Sequence, residues 1–313
     1  MVENKVILIP QRTHQTFCQM VSGLPVDQIN ALGELVDEIL LKAGRGAKIV
    51  DYYEPVKIAQ TVFLKKTENY SKDRQVLLKR SWLAKLALNL PTIVEKMALP
   101  KNILVLYPNA FDRLADHLKT NWDDPYDLTD DFFLKDIRFV LGLSIPCSIT
   151  HVLDMISKVS LSSVILSLFR LGNLKAIIQY ARLKGYGPWF RVHTDPRRLN
   201  DFNEQGWDNC FLRIAELLER KKEIRGLVGT SWFYDPQLLK ISPRLAYLRQ
   251  RPLERGAFLL RHRTGPVDIE YATTKSETRL RLYQEGKYTP IVLSIVWPRK
   301  DLISWADQAQ QGK

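Results

Sequence analysis

The sequence predicts an α+β chain, with a mostly helical region over residues 1–185 and a mixed α/β domain over residues 186–313. Three observations carry this. In the first half apolar residues recur at three- and four-residue spacing, the period of a helix face. From Trp189 onward, short β-branched or aromatic runs alternate with helical stretches. Between the halves lies Lys184-Gly-Tyr-Gly-Pro188, whose glycines and proline mark a domain boundary.

The elements follow in order. Val26 to Lys42 places Ile29, Leu32, Leu35, Val36, Ile39 and Leu40 on one helical face, with Gly44 and Gly46 as a stop. Asp73 to Leu99 repeats the pattern through Leu78, Trp82, Leu83, Leu86 and Leu90, and Pro91 divides or kinks it. Lys101 to Pro108 reads as a short buried strand, Phe111 to Asn121 as a helix, and Asp131 to Leu143 as a further apolar face. Residues 122–136 hold an acidic cluster (Asp123, Asp124, Asp127, Asp130, Asp131, Asp136) that reads as a solvated loop with helix-capping chemistry. Val152 to Leu183 is mostly helical by pattern, interrupted at Gly172-Asn173. It reads first as a buried bundle pair, and otherwise as an amphipathic surface for a membrane or lipid.

In the second half, Trp189–His193, Ile224–Tyr234, Arg244–Arg249, Val267–Ala272 and Ile291–Trp297 read as strands. Asp201–Arg220, Leu253–His262 and Lys275–Glu285 read as helices.

Charge narrows the function classes. The chain carries 46 Lys and Arg against 34 Asp and Glu, a net charge of +12. Between Arg170 and Arg263 there are 19 Lys and Arg against 9 Asp and Glu, so ten of those twelve charges fall there. Such a surface suits nucleic acid, anionic lipid, a phosphorylated cofactor or an acidic protein. The longest nearly uncharged run, Val159 to Phe169, is far short of the roughly 20 residues of a membrane span. With no export signal and three scattered thiols (Cys18, Cys147, Cys210), a cytoplasmic location is expected. No zinc, haem or flavin ligand spacing is present, and no metal is expected. His14 with Cys18, and His151 with Cys147, have no local second pair.

Strand Arg244–Arg249, the basic loop Arg251-Pro-Leu-Glu-Arg-Gly-Ala257 and the helix expected after it resemble the GNAT (Gcn-five-related N-acetyltransferase) superfamily. The helix end Leu282-Tyr-Gln-Glu-Gly-Lys-Tyr288 and the last strand resemble it too, so the likeness covers the C-terminal domain only. The resemblance implies a GNAT-like domain that moves an acyl group from acyl-CoA, or from the phosphopantetheine of an acyl carrier protein, to an amine. It implies that main-chain N–H groups around Arg255, Gly256 and Ala257 hold the pyrophosphate, that Leu248 and its strand orient the thioester, and that Tyr283 protonates the departing thiolate.

The residues themselves admit these roles beside plainer ones. Arg249, Arg251 and Arg255 present planar forks suited to phosphate, or simply a solvated basic surface. Trp232 and Tyr234 are placed to line an acyl or amine pocket, or to fill a core. His193 (with Asp195 to orient it) or Asp235 is the candidate base for the amine, against a structural histidine and a turn aspartate. Tyr283 is equally suited to a core position. The competing class is a nucleic-acid or anionic-surface binding protein that uses the basic 170–263 region, with Trp189, Phe190, Trp207 and Trp232 as stacking residues.

Overall fold

The apolar spacing of the first half becomes seven helices in the computed structural model, which describes residues 8–44, 51–120, 128, 130–171 and 174–311. They are α1 (Gln11–Ser22), α2 (Val26–Ala43), α3 (Glu54–Thr67), α4 (Lys72–Glu95), α5 (Lys101–Leu104), α6 (Tyr107–Thr120) and α7 (Asp131–Val140). A hairpin comes next, β1 (Ser144–Pro146) and β2 (His151–Ser157), antiparallel with Ser144 opposite Asp154. It leads into α8 (Leu161–Leu171), α9 (Leu174–Arg182), β3 (Trp189–Thr194), α10 (Glu204–Arg220), β4 (Gly226–Ser231), α11 (Leu238–Ile241) and α12 (Tyr247–Glu254). The chain closes with β5 (Phe258–Arg261), α13 (Pro266–Thr273), α14 (Glu277–Gln284), β6 (Leu293–Pro298) and α15 (Arg299–Gln311). The α+β class and the helical N-terminal region are as the sequence predicts. Among the described residues no helix is long and apolar enough to cross a membrane.

Contacts group the chain into two units. The first runs to Met155 and includes Thr194–Asp201; the second takes Ile156–His193 and residues from Phe202 onward. The division falls at Met155, not at 185/186, because Val159, Val164, Ala176, Tyr180 and Leu183 of the α8–α9 region pack on the sheet of the second unit.

In the first unit α4 is the hub, with Leu78, Trp82, Leu83, Leu86 and Leu90 all buried. Phe63 stacks on Trp82 with ring centroids 5.7 Å apart. Pro91 lies inside α4 without ending it. Near a helix end proline forfeits one backbone bond, and burial of Leu90 and Val94 offsets that. The strand expected at Lys101–Pro108 is instead α5 and the start of α6, since so short an apolar run has no period to read. The first part of the expected helix at Val152 is β2. Asp123, Asp124, Asp127, Gly172 and Asn173 lie outside the described residues. Asp130 caps α7 by accepting the N–H of Phe132, and Asp136 is fully buried rather than solvated.

That burial is possible because Asp136 is paired. Arg197 Nη1 and Nη2 donate to its two oxygens at 2.6 and 2.8 Å, a bidentate fork. Arg197 also donates to both oxygens of buried Asp195, at 3.0 and 2.7 Å, and Arg113 Nε stands 3.3 Å from Asp195. Burial by itself raises the Asp195 carboxyl. The hydrogen bonds from Arg197 and the charge of Arg113 outweigh it and hold the group well below the usual carboxylate range. The stabilisation is complete above the ordinary aspartate pKa of about 3.9 and is lost as pH falls further.

The second unit places a four-stranded sheet between two helical layers. Its strand order is β3-β4-β6-β5, with β3 and β4 parallel and the other pairs antiparallel. Helix α10 makes the crossover that a parallel pair requires. One face of the sheet, with Trp189, Val228, Phe258, Leu260 and Val296, is covered by α8 and α9. On the other, Trp297 meets Phe211 of α10 and Trp305 of α15 at centroid distances of 5.2 and 5.5 Å.

Arg197→Leu removes the shared cation from two buried carboxylates and is expected to cost about 3–5 kcal/mol in urea unfolding at pH 7. A cost below about 1 kcal/mol would show that the pair is solvated.

Candidate functional site

Parallel strands present their carboxyl ends together, and that end of an open sheet is where α/β proteins bind ligands. Here β3 and β4 pair from Phe190 opposite Leu227 to Val192 opposite Gly229. Each strand then runs two residues further, to Thr194 and Ser231, beyond their mutual pairing. Side chains alternate along β3, so Arg191 and His193 share the face that Trp189 occupies.

Arg191 organises this end. Its Nε donates to Ser157 Oγ at 2.8 Å, Nη1 to Thr230 Oγ1 at 2.8 Å and Nη2 to the Lys158 carbonyl at 2.7 Å. Thr230 Oγ1 lies 2.9 Å from Ser294 Oγ across the β4–β6 ladder. One residue past β5, His262 donates its backbone N–H to the Val292 carbonyl at 3.0 Å, which fixes its position beside β6. Its Nδ1 is 2.9 Å from Ser163 Oγ of α8. Burial first, and then the charge of Arg191, lower the His262 pKa below its ordinary value, with Asp268 acting weakly the other way. The imidazole is therefore neutral at physiological pH. A neutral histidine, held by the Ser163 hydroxyl and within the field of Arg191, is equipped to accept a proton while the cation steadies developing negative charge.

The residues that the sequence singles out divide unevenly. His193 lies on the Arg191 face at the same strand end. Asp235 is fully buried and accepts the N–H groups of Gln237 and Ile291 at 2.9 and 3.1 Å, bracing the exit from β4 against the approach to β6. Both of its oxygens are thereby engaged. The strand expected to reach Tyr234 stops at Ser231, and Trp232–Tyr234 is a single 3₁₀ turn, so the two aromatics do not share a strand face. Tyr234 is buried with its hydroxyl over Gly229, where a Cβ would come within 2.4 Å of that oxygen. Trp232 lies under the Arg279 guanidinium, 4.7 Å from the ring centroid. Tyr283 is exposed on α14.

The loop expected to cradle pyrophosphate is corrected. Arg244–Arg249 is not a strand, and Leu248 and Arg249 belong to α12; the chain passes from Ala257 into strand β5. The order is helix, turn, strand, so the turn meets the negative end of the α12 dipole. Gly256 has φ +90°, and a Cβ there would touch the Asp301 carboxyl at 2.8 Å. Arg251 is paired with Glu204 and Asp208, Arg255 with Gln308 and Arg249 with the Tyr234 carbonyl. An anion gains little in such a turn. Val267–Ala272 is likewise helix α13, opened by Pro266 with Asp268 accepting the Gly265 N–H at 2.8 Å.

His262 is the residue that sequence reasoning missed. It lies between Arg261 and Arg263 in a segment that reads as helix, and only the strand β5 brings it to the site. The stacking residues of the nucleic-acid reading fare differently: Trp189, Phe190 and Trp207 are core. Among the described residues no group of His, Cys, Asp and Glu is arranged to hold a metal. Comparison with known protein families, characterised proteins and solved structures finds no match for this chain.

Arg191→Met removes one of the two influences that keep His262 neutral, so its pKa is expected to rise partway toward the ordinary value of about 6.5. Imidazole resonances followed by NMR through roughly pH 4–8 measure this; an unmoved midpoint would show that Arg191 does not act on His262.

Proposed function

We propose that the second unit is an acyltransferase of the GNAT class, moving an acyl group from an acyl thioester, on coenzyme A or an acyl carrier protein, to an amine. The observation that carries the reading is the neutral His262, oriented by Ser163 and within the field of Arg191, which lies at the carboxyl end of the parallel β3–β4 pair.

In this mechanism the amine attacks the thioester carbonyl carbon. With Nδ1–H donated to Ser163 Oγ, His262 Nε2 takes the amine proton. Arg191 and the Thr230 hydroxyl stabilise the charge on the carbonyl oxygen. The C–S bond then breaks, and the imidazolium returns its proton to the thiolate. Arg261 and Arg263 add positive charge for the donor's phosphates.

A thermal-shift screen with coenzyme A, acyl-coenzyme A species and an acyl carrier protein tests donor binding, since a bound donor raises apparent stability by mass action. The absence of a shift with every donor overturns the proposal. His262→Gln is expected to lower turnover by roughly 10²–10⁴-fold with little change in donor affinity. Wild-type turnover is expected to fall in acid as His262 is protonated and to level off by neutral pH. Equal turnover in His262→Gln with a loss in His193→Gln would move the base to His193. Tyr283→Phe separates the two sources of the thiolate's proton: unchanged turnover assigns it to the imidazolium, and a loss to the phenol.

A further inference from the structure

Helix α8 is inside out. Its inner face carries the buried serines Ser163 and Ser167. Ser163 meets His262, while Ser167 accepts the Arg261 N–H at 2.6 Å and donates to the Ser163 carbonyl at 2.6 Å. Its outer face carries Leu161, Ile165, Leu168 and Phe169, which are 72%, 47%, 46% and 79% exposed. Helix α9 extends this surface with Leu174 and Ile178, one turn apart and 57% and 42% exposed. A shallow groove lined by Leu174, Lys175, Ile178, Gln179 and Arg182 runs along it. Isolated exposed leucines are ordinary, but an apolar surface shared by two packed helices marks an interaction site.

Charge says what covers it. Residues 155–194 contain no Asp or Glu, yet they carry Lys158, Arg170, Lys175, Arg182, Lys184 and Arg191. Lys158, Lys175, Arg182 and Lys184 are exposed, and Lys175 and Arg182 line the groove beside Leu174 and Ile178. Two copies meeting through this face would bring like charges together with no carboxylate from the same segment to offset them. Bulky apolar tips on a segment whose only charges are cations match the interface of an anionic bilayer, where the apolar groups enter the acyl boundary and the cations meet lipid phosphates.

We propose that the outer face of α8 and α9 is a peripheral docking site for an anionic membrane surface. The site stands independently of the acyl-transfer reading, and its test uses no donor or acceptor.

The experiment is co-sedimentation of the full chain with phosphatidylcholine vesicles, with and without about one third phosphatidylglycerol. Binding is expected to be at least tenfold tighter to the anionic vesicles and to weaken as salt is raised. Lys175→Ala and Arg182→Ala are each expected to weaken it about fivefold. Ile165→Glu and Phe169→Glu should weaken it at least tenfold, whereas Leu41→Glu, at an exposed position on α2, should not. Melting temperatures check that these surface variants fold. Leu168→Cys carrying an environment-sensitive dye, in a Cys18→Ser background, reports insertion with the charge unchanged, by a blue shift on anionic vesicles. The proposal is overturned by wild-type protein that ignores anionic vesicles, or by face variants that bind as the wild type does. A dye that does not shift overturns it as well. So does a wild-type dimer that Phe169→Glu makes monomeric, which would assign the face to a second copy.

Discussion

The half-buried guanidinium of Arg191 is the constraint on which the second unit's polar end depends. A cation withdrawn from water needs its donors satisfied, and this one reaches Ser157, Thr230 and the Lys158 carbonyl. Those three partners tie β3 to β4 and to the segment that enters α8. The cation's field also disfavours a second positive charge nearby, which helps to keep His262 neutral. One side chain thus holds the strand ends in place and adds to the burial that keeps His262 neutral.

The same polar demand explains the odd amphipathicity of α8. His262 Nδ1 and the Arg261 N–H both need partners under the helix, and Ser163 and Ser167 provide them. A helix has one inner face; once serines occupy part of it, leucine, isoleucine and phenylalanine at the intervening positions turn outward. The apolar outer surface is then a consequence of satisfying polar groups beneath. A free-standing unit would bear the cost of that exposure, whereas a membrane surface recovers it.

The first unit uses buried charge differently. Arg197 and Arg113 meet the buried carboxylates of Asp136 and Asp195, with the Arg197 guanidinium 5.0 Å from the Phe132 ring centroid. Each charge is paired and oriented, which suits a fixed geometry rather than chemistry that needs a changing proton. Arg138, bonded to Asp154 and Ser144, fastens α7 to the β1–β2 hairpin in the same manner. The contacts of Arg197 and Arg113 hold the segment Thr194–Asp201, which begins at the last residue of β3.

The sequence by itself determined the class, most of the helices and the strands at Trp189 and Ile291. In each, the apolar period persists long enough, or β-branched residues are dense enough, to exclude the alternative. It also placed the positive charge, since Lys and Arg are countable without a fold. Tertiary structure alone decided that Arg244–Arg249 lies in a helical segment and Phe258–Arg261 in a strand. Leu245 and Leu248 satisfy a helical spacing while Leu245 and Tyr247 satisfy an alternating one, and four residues of Phe-Leu-Leu-Arg are too few to show a period. Only the ladder to β6 settles that run, and with it the position of His262. The sequence offered both a buried and an outward reading for α8, and only the serines needed by His262 and β5 decide between them. Local spacing fixes which residues share a helix face, while the partner beneath decides which face turns inward.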